Sequence, residues 1–426
     1  MLWQKFDPAA SIALRPERQA AGAFSRTAEG HAASPGALIL GGDHGALGIA
    51  RSLGRRGIPV WFLTDDKINA RFSRYTRRGF SWNGPEAPQA SEFLAEFGRR
   101  NGLQGWVLFP GGDREVKLVS QHHAVLSQVF RLITPPWETT RIAADKHAMY
   151  ARAAELGIAC PRSYAPRTRM QVEQLDCQYP LILKPAEKNG FTALARDKAW
   201  RINGPGELLA RYDDAVAQAG AENIVLQEMI PGGGDTQFSY TGVWSGGRPA
   251  GEMIARRTRQ YPVEFGTGTF VEAVEQEAVA QAARKFLASL DYSGLIEIEF
   301  KYDARDNGYK ILDANPRFWT WNALGALAGV DFGYLQWQLA MGEPVVPQQG
   351  RPGAAWIYVS KDIAAALGEM AAGTLTPRAY FRSLRRPLGF AAFVPDDVMP
   401  AIVDLPLALW RYLRQRFAGA LRLSPR

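Results

Sequence analysis

Two short runs of alternating polar and apolar residues hold the chemistry of this chain. Ile296-Glu297-Ile298-Glu299-Phe300 and Ile311-Leu312-Asp313-Ala314-Asn315-Pro316-Arg317 place carboxylates, an amide and a guanidinium among aliphatic side chains. On a strand, alternate residues share a face. Glu297 and Glu299 therefore point one way, and Asp313, Asn315 and Arg317 share a face of the next strand. Paired antiparallel, the two strands bring Glu299, Asp313 and Asn315 together as an all-oxygen donor set of the kind Mg2+ prefers. Arg317 carries the planar fork that meets a phosphate or carboxylate with two hydrogen bonds. An exposed hairpin shows the same alternation. The apolar setting, Pro316 and the adjacent cation argue instead for a site.

Two lysines complete the set. Lys184 ends the apolar run Leu181-Ile182-Leu183 and precedes Pro185, which aims an ammonium from the end of a buried strand. Lys146 follows Asp145 at the start of a helical pattern. No GxxxxGK[ST] sequence is present, which disfavours a P-loop NTPase. A glycine loop does follow the first strand, as Gly42-x-x-Gly45-x-x-Gly48. Its spacing departs from the GxGxxG dinucleotide fingerprint. Asp65, after the second strand, stands where a ribose-binding acid would, so a nicotinamide oxidoreductase stays open. A loop of this kind also simply turns a strand tightly into a helix. His122-His123 lacks a third ligand at metal spacing. Cys160 and Cys177 lie outside any CxxC pair and have no obvious catalytic partner.

These groups need elements to hold them. Ala37-Leu38-Ile39-Leu40, the glycine loop, a helix through Leu53 and Pro59-Val60-Trp61-Phe62-Leu63 form a β-loop-α-β unit. Trp106 to Pro110 is a further strand, followed by Gly111-Gly112-Asp113 and a helix. The texture changes near Pro135-Pro136. Strands follow at Leu181–Pro185, Ile224–Glu228, Phe238–Trp244, 295–302 and 309–314, with an amphipathic helix over 278–290. The expected fold is an α/β doubly wound N-terminal domain, then an α+β domain of two subdomains, then a mostly helical C-terminal extension. The expected boundaries are a flexible extension over 1–35, then 36–135, 136–345 with a hinge near 227–231, and 346–426.

Composition narrows the function. The 426 residues are 46% hydrophobic and 22% charged, which suits an ordered globular chain of two or three domains. The formal net charge is +8, yet no basic run interleaved with aromatics marks a nucleic-acid platform. The charge suits a solvated basic surface or an anionic substrate. No uncharged apolar stretch of roughly 18 residues marks a membrane span. The two cysteines make no disulfide framework and point to a reducing, cytoplasmic setting. A basic amphipathic helix over 406–421 sets Leu409, Trp410, Leu413 and Phe417 on one face. Packing on the body or a homodimer contact is the expectation there, with peripheral membrane contact as the alternative.

The order Asp145-Lys146, Leu183-Lys184-Pro185, Leu226-Gln227-Glu228-Met229-Ile230-Pro231-Gly232, Glu299-Phe300 and Asp313-Ala314-Asn315-Pro316-Arg317 resembles the ATP-grasp superfamily. The resemblance spans about 136–345 and leans toward carboxylate–amine ligases similar to D-aspartate ligase and to carbamoyl-phosphate-synthase-like proteins. It implies ATP as substrate and Mg2+, or alternatively Mn2+, as cofactor. Lys146 and Lys184 would touch the α- and β-phosphates. Gln227, Glu228, Met229 and Ile230 would line the adenine slot, and Asp235 would meet the ribose. Glu299, Asp313 and Asn315 would hold the metal, Arg317 would steady the transferring phosphoryl group, and 189–192 would close over the phosphates. Arg256 and Arg259, in a run read as a loop near the acceptor site, are candidates for a substrate carboxylate, with a basic solvated turn as the alternative. Asp113, Arg114 and His44 are further candidates on the substrate side. The implied activity joins a small carboxylate to an amine through an acyl phosphate, forming ADP. A bicarbonate-using carboxylase or carbamoyl-phosphate type is the alternative, and a non-catalytic nucleotide-binding scaffold would have lost some of these residues.

Overall fold

The computed structural model describes residues 35–186, 194 and 199–422, with side chains through 410. The expected N-terminal extension (but for Pro35), the loop 189–192 and the side chains of Leu413 and Phe417 lie outside the described residues.

The first module is a four-stranded parallel sheet ordered β3-β2-β1-β4, from β1 (Ala37–Leu40), β2 (Val60–Thr64), β3 (Thr76–Ser81) and β4 (Val107–Pro110). Every residue of β1, β2 and β4 is buried. That is why these strands read as unbroken apolar runs: parallel strands covered on both faces lose the alternation. Helices α1 (His44–Gly54), α2 (Ala90–Arg100) and α3 (Asp113–Gln121) pack around it, followed by a short α4 (His123–Leu126).

Helices α5 (Trp137–Ala144) and α6 (Lys146–Glu155) lead into the body. A small antiparallel sheet ordered β5-β8-β6-β7 contains β5 (Ser163–Tyr164), β6 (Leu181–Pro185), β7 (Trp200–Ile202) and β8 (Ile224–Glu228). It is covered by α7 (Arg169–Glu173) and α8 (Pro205–Ala219), whose Leu208, Tyr212 and Ala215 pack on Leu181, Leu183 and Leu226.

The large sheet has eight strands, with seven in the order β13-β12-β9-β10-β11-β15-β16 and β14 paired to β10. Its long members are β9 (Gln237–Ser245), β10 (Arg248–Tyr261), β11 (Thr267–Val274), β12 (Gly294–Asp303) and β13 (Gly308–Asn315). Helix α9 (Glu277–Ala288) covers one face with Val279, Ala283, Phe286 and Leu287. Helices α10 (Ala323–Ala328) and α11 (Phe332–Met341) follow β13.

Two features differ from expectation. Arg256 to Tyr261 is no loop: it belongs to the 14-residue β10, in the middle of the sheet. The segment after residue 345 contains α12 (Val359–Ala371), α13 (Pro377–Ser383) and α14 (Met399–Arg422), and also β14 (Gln348–Gln349), β15 (Ala355–Ile357) and β16 (Leu388–Phe390), which join the large sheet. It is built into the body rather than appended to it.

One apolar core crosses from the first module into the body. It joins Ile39, Leu47 and Phe62 to Val243, Phe318, Phe332 and Trp356. The C-terminal segment fastens to the same module through acids. Asp397 accepts from Arg51 Nε at 2.9 Å, Ser73 Oγ at 2.7 Å and the Arg74 N–H at 2.9 Å. Asp404 meets His44 Nε2 and Asn69 Nδ2, each at 2.9 Å. His44, a candidate for the substrate side, is therefore buried and spent on holding α14.

Candidate active site

A cleft of about 480 Å³ lies where the small sheet, the large sheet and the start of α3 meet. It brings together Lys146, Lys184, Gln227, Glu228, Met229, Ile230, Glu299, Asp313, Asn315 and Arg317. Asp235 sits exposed on a 3-10 turn at Gly234–Thr236 and does not line the cleft. Arg256 does not line it either.

The lysines are placed by local rules. Asp145 caps α6 by accepting the Ala148 N–H at 2.8 Å, which fixes the helix start. Lys146 is thereby the first residue of the helix. It is 6% exposed, and its Nζ lies 3.3 Å from Asp313 Oδ1. On β6, Leu181 and Leu183 face the small core, so Lys184 faces the other way. Its Nζ donates to Gln227 Oε1 at 2.9 Å and approaches the Tyr150 hydroxyl at 3.2 Å. Gln227 is buried and passes its Nε2 to Ser163 Oγ at 2.8 Å. Its side chain therefore braces Lys184 at the cleft wall.

Strand β8 ends in a similar brace. The Glu228 carboxylate accepts from the Arg162 N–H at 2.9 Å, Arg305 Nη2 at 2.9 Å and Lys310 Nζ at 3.1 Å. Burial would raise its pKa, but these donors outweigh burial and hold it below the usual carboxylate range. Glu228 thus ties the end of β8 to the β12–β13 turn. Apolar side chains of the cleft on and near the end of β8 and β6 include Ile182, Met229 and Ile230, with Leu312 also in the lining.

The acids stand in register. Glu299 pairs with Asp313 and Glu297 with Asn315 across β12 and β13. The Asn315 amide nitrogen lies 3.3 Å from Glu299 and 3.4 Å from Glu297. Arg257, unforeseen from sequence, bridges both acids, with Nη2 at 3.2 Å from Glu297 and 2.5 Å from Glu299. Burial pulls the Arg257 pKa down, but the two carboxylates more than compensate and raise it. Glu297, with Ser239 as a further donor at 3.0 Å, has its pKa raised by burial against the pull of Arg257. Among the described residues no three His, Cys, Asp or Glu side chains are grouped as a metal cluster. The Glu299 and Asp313 carboxylates and the Asn315 carbonyl are oxygen donors that fit a hard cation by their chemistry, and Arg257 and Lys146 are the cations that pair with the two acids.

Arg317 links the modules. Its Nε donates to Asp113 Oδ1 at 2.6 Å, and its Nη2 to Asn315 Oδ1 at 3.3 Å.

The arginines of β10 correct the sequence reading. Arg256 points to the opposite side from Arg257 and pairs with Glu272 at 3.0 Å. Arg259, 1% exposed, pairs with Asp362 at 2.9 Å and packs over Phe270. Neither is presented to a substrate in the cleft. A register shift around Thr258 separates Arg257 from Arg259, so even spacing along the run does not predict which residue faces the site.

The glycine loop also has a packing explanation. Gly42 has φ +80°, and a Cβ there would stand 2.8 Å from the Phe318 ring. A Cβ at Gly45 would meet Phe318 and the Trp319 carbonyl at 2.8 Å, and one at Gly48 would meet Asn322 at 2.2 Å. The glycines let the loop and α1 lie against 318–322, with the Phe318 ring packed on Gly42 and Gly45. Asp65 is paired with Arg114 at 2.9 Å.

Comparison with known proteins agrees with this geometry. The model for the carbamoyl-phosphate synthase L chain ATP-binding domain matches residues 251–347. D-aspartate ligase of Enterococcus faecium (strain Aus0004) is 23% identical over 300 residues, 66% of this chain and 70% of that protein. An L-amino acid ligase from Bacillus licheniformis superposes with a TM-score of 0.55 at 16% identity, over 73% of this chain and 75% of that one. N5-carboxyaminoimidazole ribonucleotide synthetase from Thermus thermophilus gives 0.56 at 16% identity, over 75% and 81%. Biotin carboxylase from Campylobacter jejuni gives 0.58 at 14% identity, over 75% and 74%. The chain therefore has the ATP-grasp fold, and among the proteins it is similar to are a D-aspartate ligase and an L-amino acid ligase.

Proposed function

We propose that this chain is an ADP-forming ligase that activates a small carboxylate as an acyl phosphate and joins it to an amine. The convergence of Lys146, Lys184 and Arg317 with Glu299, Asp313 and Asn315 in one cleft carries this reading. Similarity to a D-aspartate ligase and an L-amino acid ligase supports it over a bicarbonate-using carboxylase. The packed glycine loop and the engaged Asp65 remove the ground for a nicotinamide enzyme.

In this reading the adenine of ATP lies between Ile182 and Leu312 against Met229 and Ile230. Lys146 and Lys184 neutralise phosphate oxygens. Mg2+ (or Mn2+), when bound by Glu299, Asp313 and Asn315, supplies charge neutralisation on the phosphates. The substrate carboxylate attacks the γ-phosphorus in line. A bond forms from its oxygen to phosphorus, the bridging P–O bond breaks, and ADP leaves. Arg317, held by Asp113, stabilises the charge on the transferring group. The enzyme contributes position and electrostatics and needs no nucleophile of its own. The amine then attacks the acyl carbon and expels phosphate. Residues 36–135 supply Asp113, and 136–345 form the clamp, with its hinge at 227–231. A cytoplasmic site of action goes with free cysteines at 160 and 177.

The test is ADP and phosphate release by purified protein with MgATP against paired carboxylates and amines. Asp313→Ala and Lys184→Ala should each abolish release with the fold retained by circular dichroism. Release of AMP and pyrophosphate instead would refute the acyl-phosphate route, and wild-type release by either variant would refute the site.

A further inference from the structure

The outer side of α14 takes no part in the chemistry of the cleft. The helix is fastened by its first turns. Asp404 meets His44 and Asn69, and the Tyr358 hydroxyl stands 3.5 Å from the same carboxylate. At about 100° per residue, Val398, Ile402, Leu405 and Leu409 fall within an arc of about 60°, roughly 100–160° round the axis from Asp404. These four side chains are 42%, 61%, 65% and 57% exposed. The acid holds one side of the helix to the body, so the apolar stripe points away from it. A contiguous exposed apolar surface of this kind marks a place where something docks.

Charge says what docks. From Leu405 to Arg426 the sequence holds Arg411, Arg414, Arg416, Arg422 and Arg426, and no Asp or Glu. The backbone stays helical through Arg422. Leu413 follows Leu409 by four residues, so the apolar period runs on into the basic stretch. An apolar stripe joined to arginines with no acid among them matches a helix lying in the interface of an anionic membrane. Among the described residues no helix is long and apolar enough to cross a membrane, so α14 lies on the surface rather than spanning it. A second copy of this chain fits the stripe less well. A two-fold contact presents the same basic stretch from both sides. The acids beside it, Asp396, Asp397 and Asp404, are already paired with Arg55, Arg51 and His44.

We propose that α14 docks this protein on an anionic lipid surface. The helix lies in the membrane plane, with Val398, Ile402, Leu405 and Leu409 at the boundary of headgroups and acyl chains and the arginines of 411–426 among the lipid phosphates. Asp397 and Asp404 tie the helix to the first module, so the whole protein is carried to the surface with it. Two contributions add. Each arginine near an anionic surface strengthens binding about fivefold, and salt screens that share. The apolar stripe adds a share that salt leaves in place. Docking is independent of the reaction run in the cleft.

The experiment is co-sedimentation of the full chain with vesicles of phosphatidylcholine, alone or mixed with phosphatidylglycerol at about three to one. Sedimentation velocity of the protein without vesicles is run beside it. Wild type should bind the mixed vesicles about tenfold or more tightly than phosphatidylcholine alone. Ile402→Ser combined with Leu409→Ser keeps the net charge and should weaken that binding about tenfold or more. Both side chains are exposed, so the Tm of this variant should stay within about 2 °C of wild type. Arg411→Gln combined with Arg414→Gln and Arg416→Gln should weaken binding about 100-fold, three steps of about fivefold. Equal binding by wild type and the serine variant would be adsorption by net charge alone and overturns the proposal. Absence of wild-type binding to the mixed vesicles overturns it as well. A dimer of the free protein that the serine variant dissolves, with no vesicle binding, would make a second copy the occupant and overturns it too.

Discussion

Arg257→Met isolates the electrostatics of the site. The guanidinium is 7% exposed and bridges Glu297 and Glu299, of which Glu297 is 3% exposed. Methionine keeps most of the volume and leaves two acids of one strand face without their shared cation. Removing one partner of a buried pair costs about 3–5 kcal/mol, or about 6–20 °C in Tm at 2–4 °C per kcal/mol for a body of this size. The deficit must depend on pH. Burial already raises the Glu297 pKa, and loss of Arg257 raises it further. An acid whose folded pKa lies above its unfolded value binds more protons when folded, so its stability contribution is present at low pH and is lost as pH rises. The variant should therefore lie near wild type at pH 5 and show its full deficit at pH 8. Millimolar Mg2+ at pH 8 should recover part of it, since the freed carboxylates are hard oxygen donors. Thermal melts by circular dichroism, with chelator and then with MgCl2, read all three quantities. A deficit below about 1 kcal/mol at pH 8, or one equal at pH 5 and pH 8, would refute the role given to Arg257.

Glu115 is buried against Gly41 and Gly112, and burial pushes its carboxyl up to about 7. Wild-type stability should fall as pH rises from about 4.5 to 7, and Glu115→Gln should remove that slope and gain about 3 kcal/mol at pH 8; urea melts at pH 5 and 8 decide. Arg259→Met breaks the buried pair with Asp362 and should lower stability by about 3–5 kcal/mol with substrate KM values unchanged, whereas a rise in one KM would return Arg259 to the substrate side.

The legible part of this site is the part whose pattern is local. Glu299, Asp313 and Asn315 sit on two strands joined by an Arg305-Asp306-Asn307-Gly308 turn, and alternation alone predicts their common face. Asp145 and Lys146 are legible because a cap and the first helical residue are neighbours in sequence. Arg257 is not legible: Arg256, Arg257 and Arg259 are chemically alike, and the register shift near Thr258 removes the parity that would choose among them. The Asp113–Arg317 pair spans 204 residues and leaves no local trace. Strands of two or three residues, such as β14, β15 and β16, are too short to show a period, so the region read as a mostly helical extension concealed its share of the large sheet. The glycine loop misleads for a different reason. Close packing against Phe318 and close approach to a pyrophosphate ask for the same residue.

The acids that fasten the C-terminal segment to the first module also govern the order in which the chain matures. His44 waits for Asp404 across 360 residues, and Arg51 for Asp397 across 346. At synthesis rates of about 5–20 residues per second, 360 residues take roughly 20–70 s to emerge. During that interval the earliest-made sheet exists without the partners that engage His44, Arg51 and Asn69, and without the aromatic half of its core contributed by Phe318 and Trp356. The part synthesised first is thus the part completed last, and a chain cut short near residue 395 is expected to fail at its beginning rather than at its cut end.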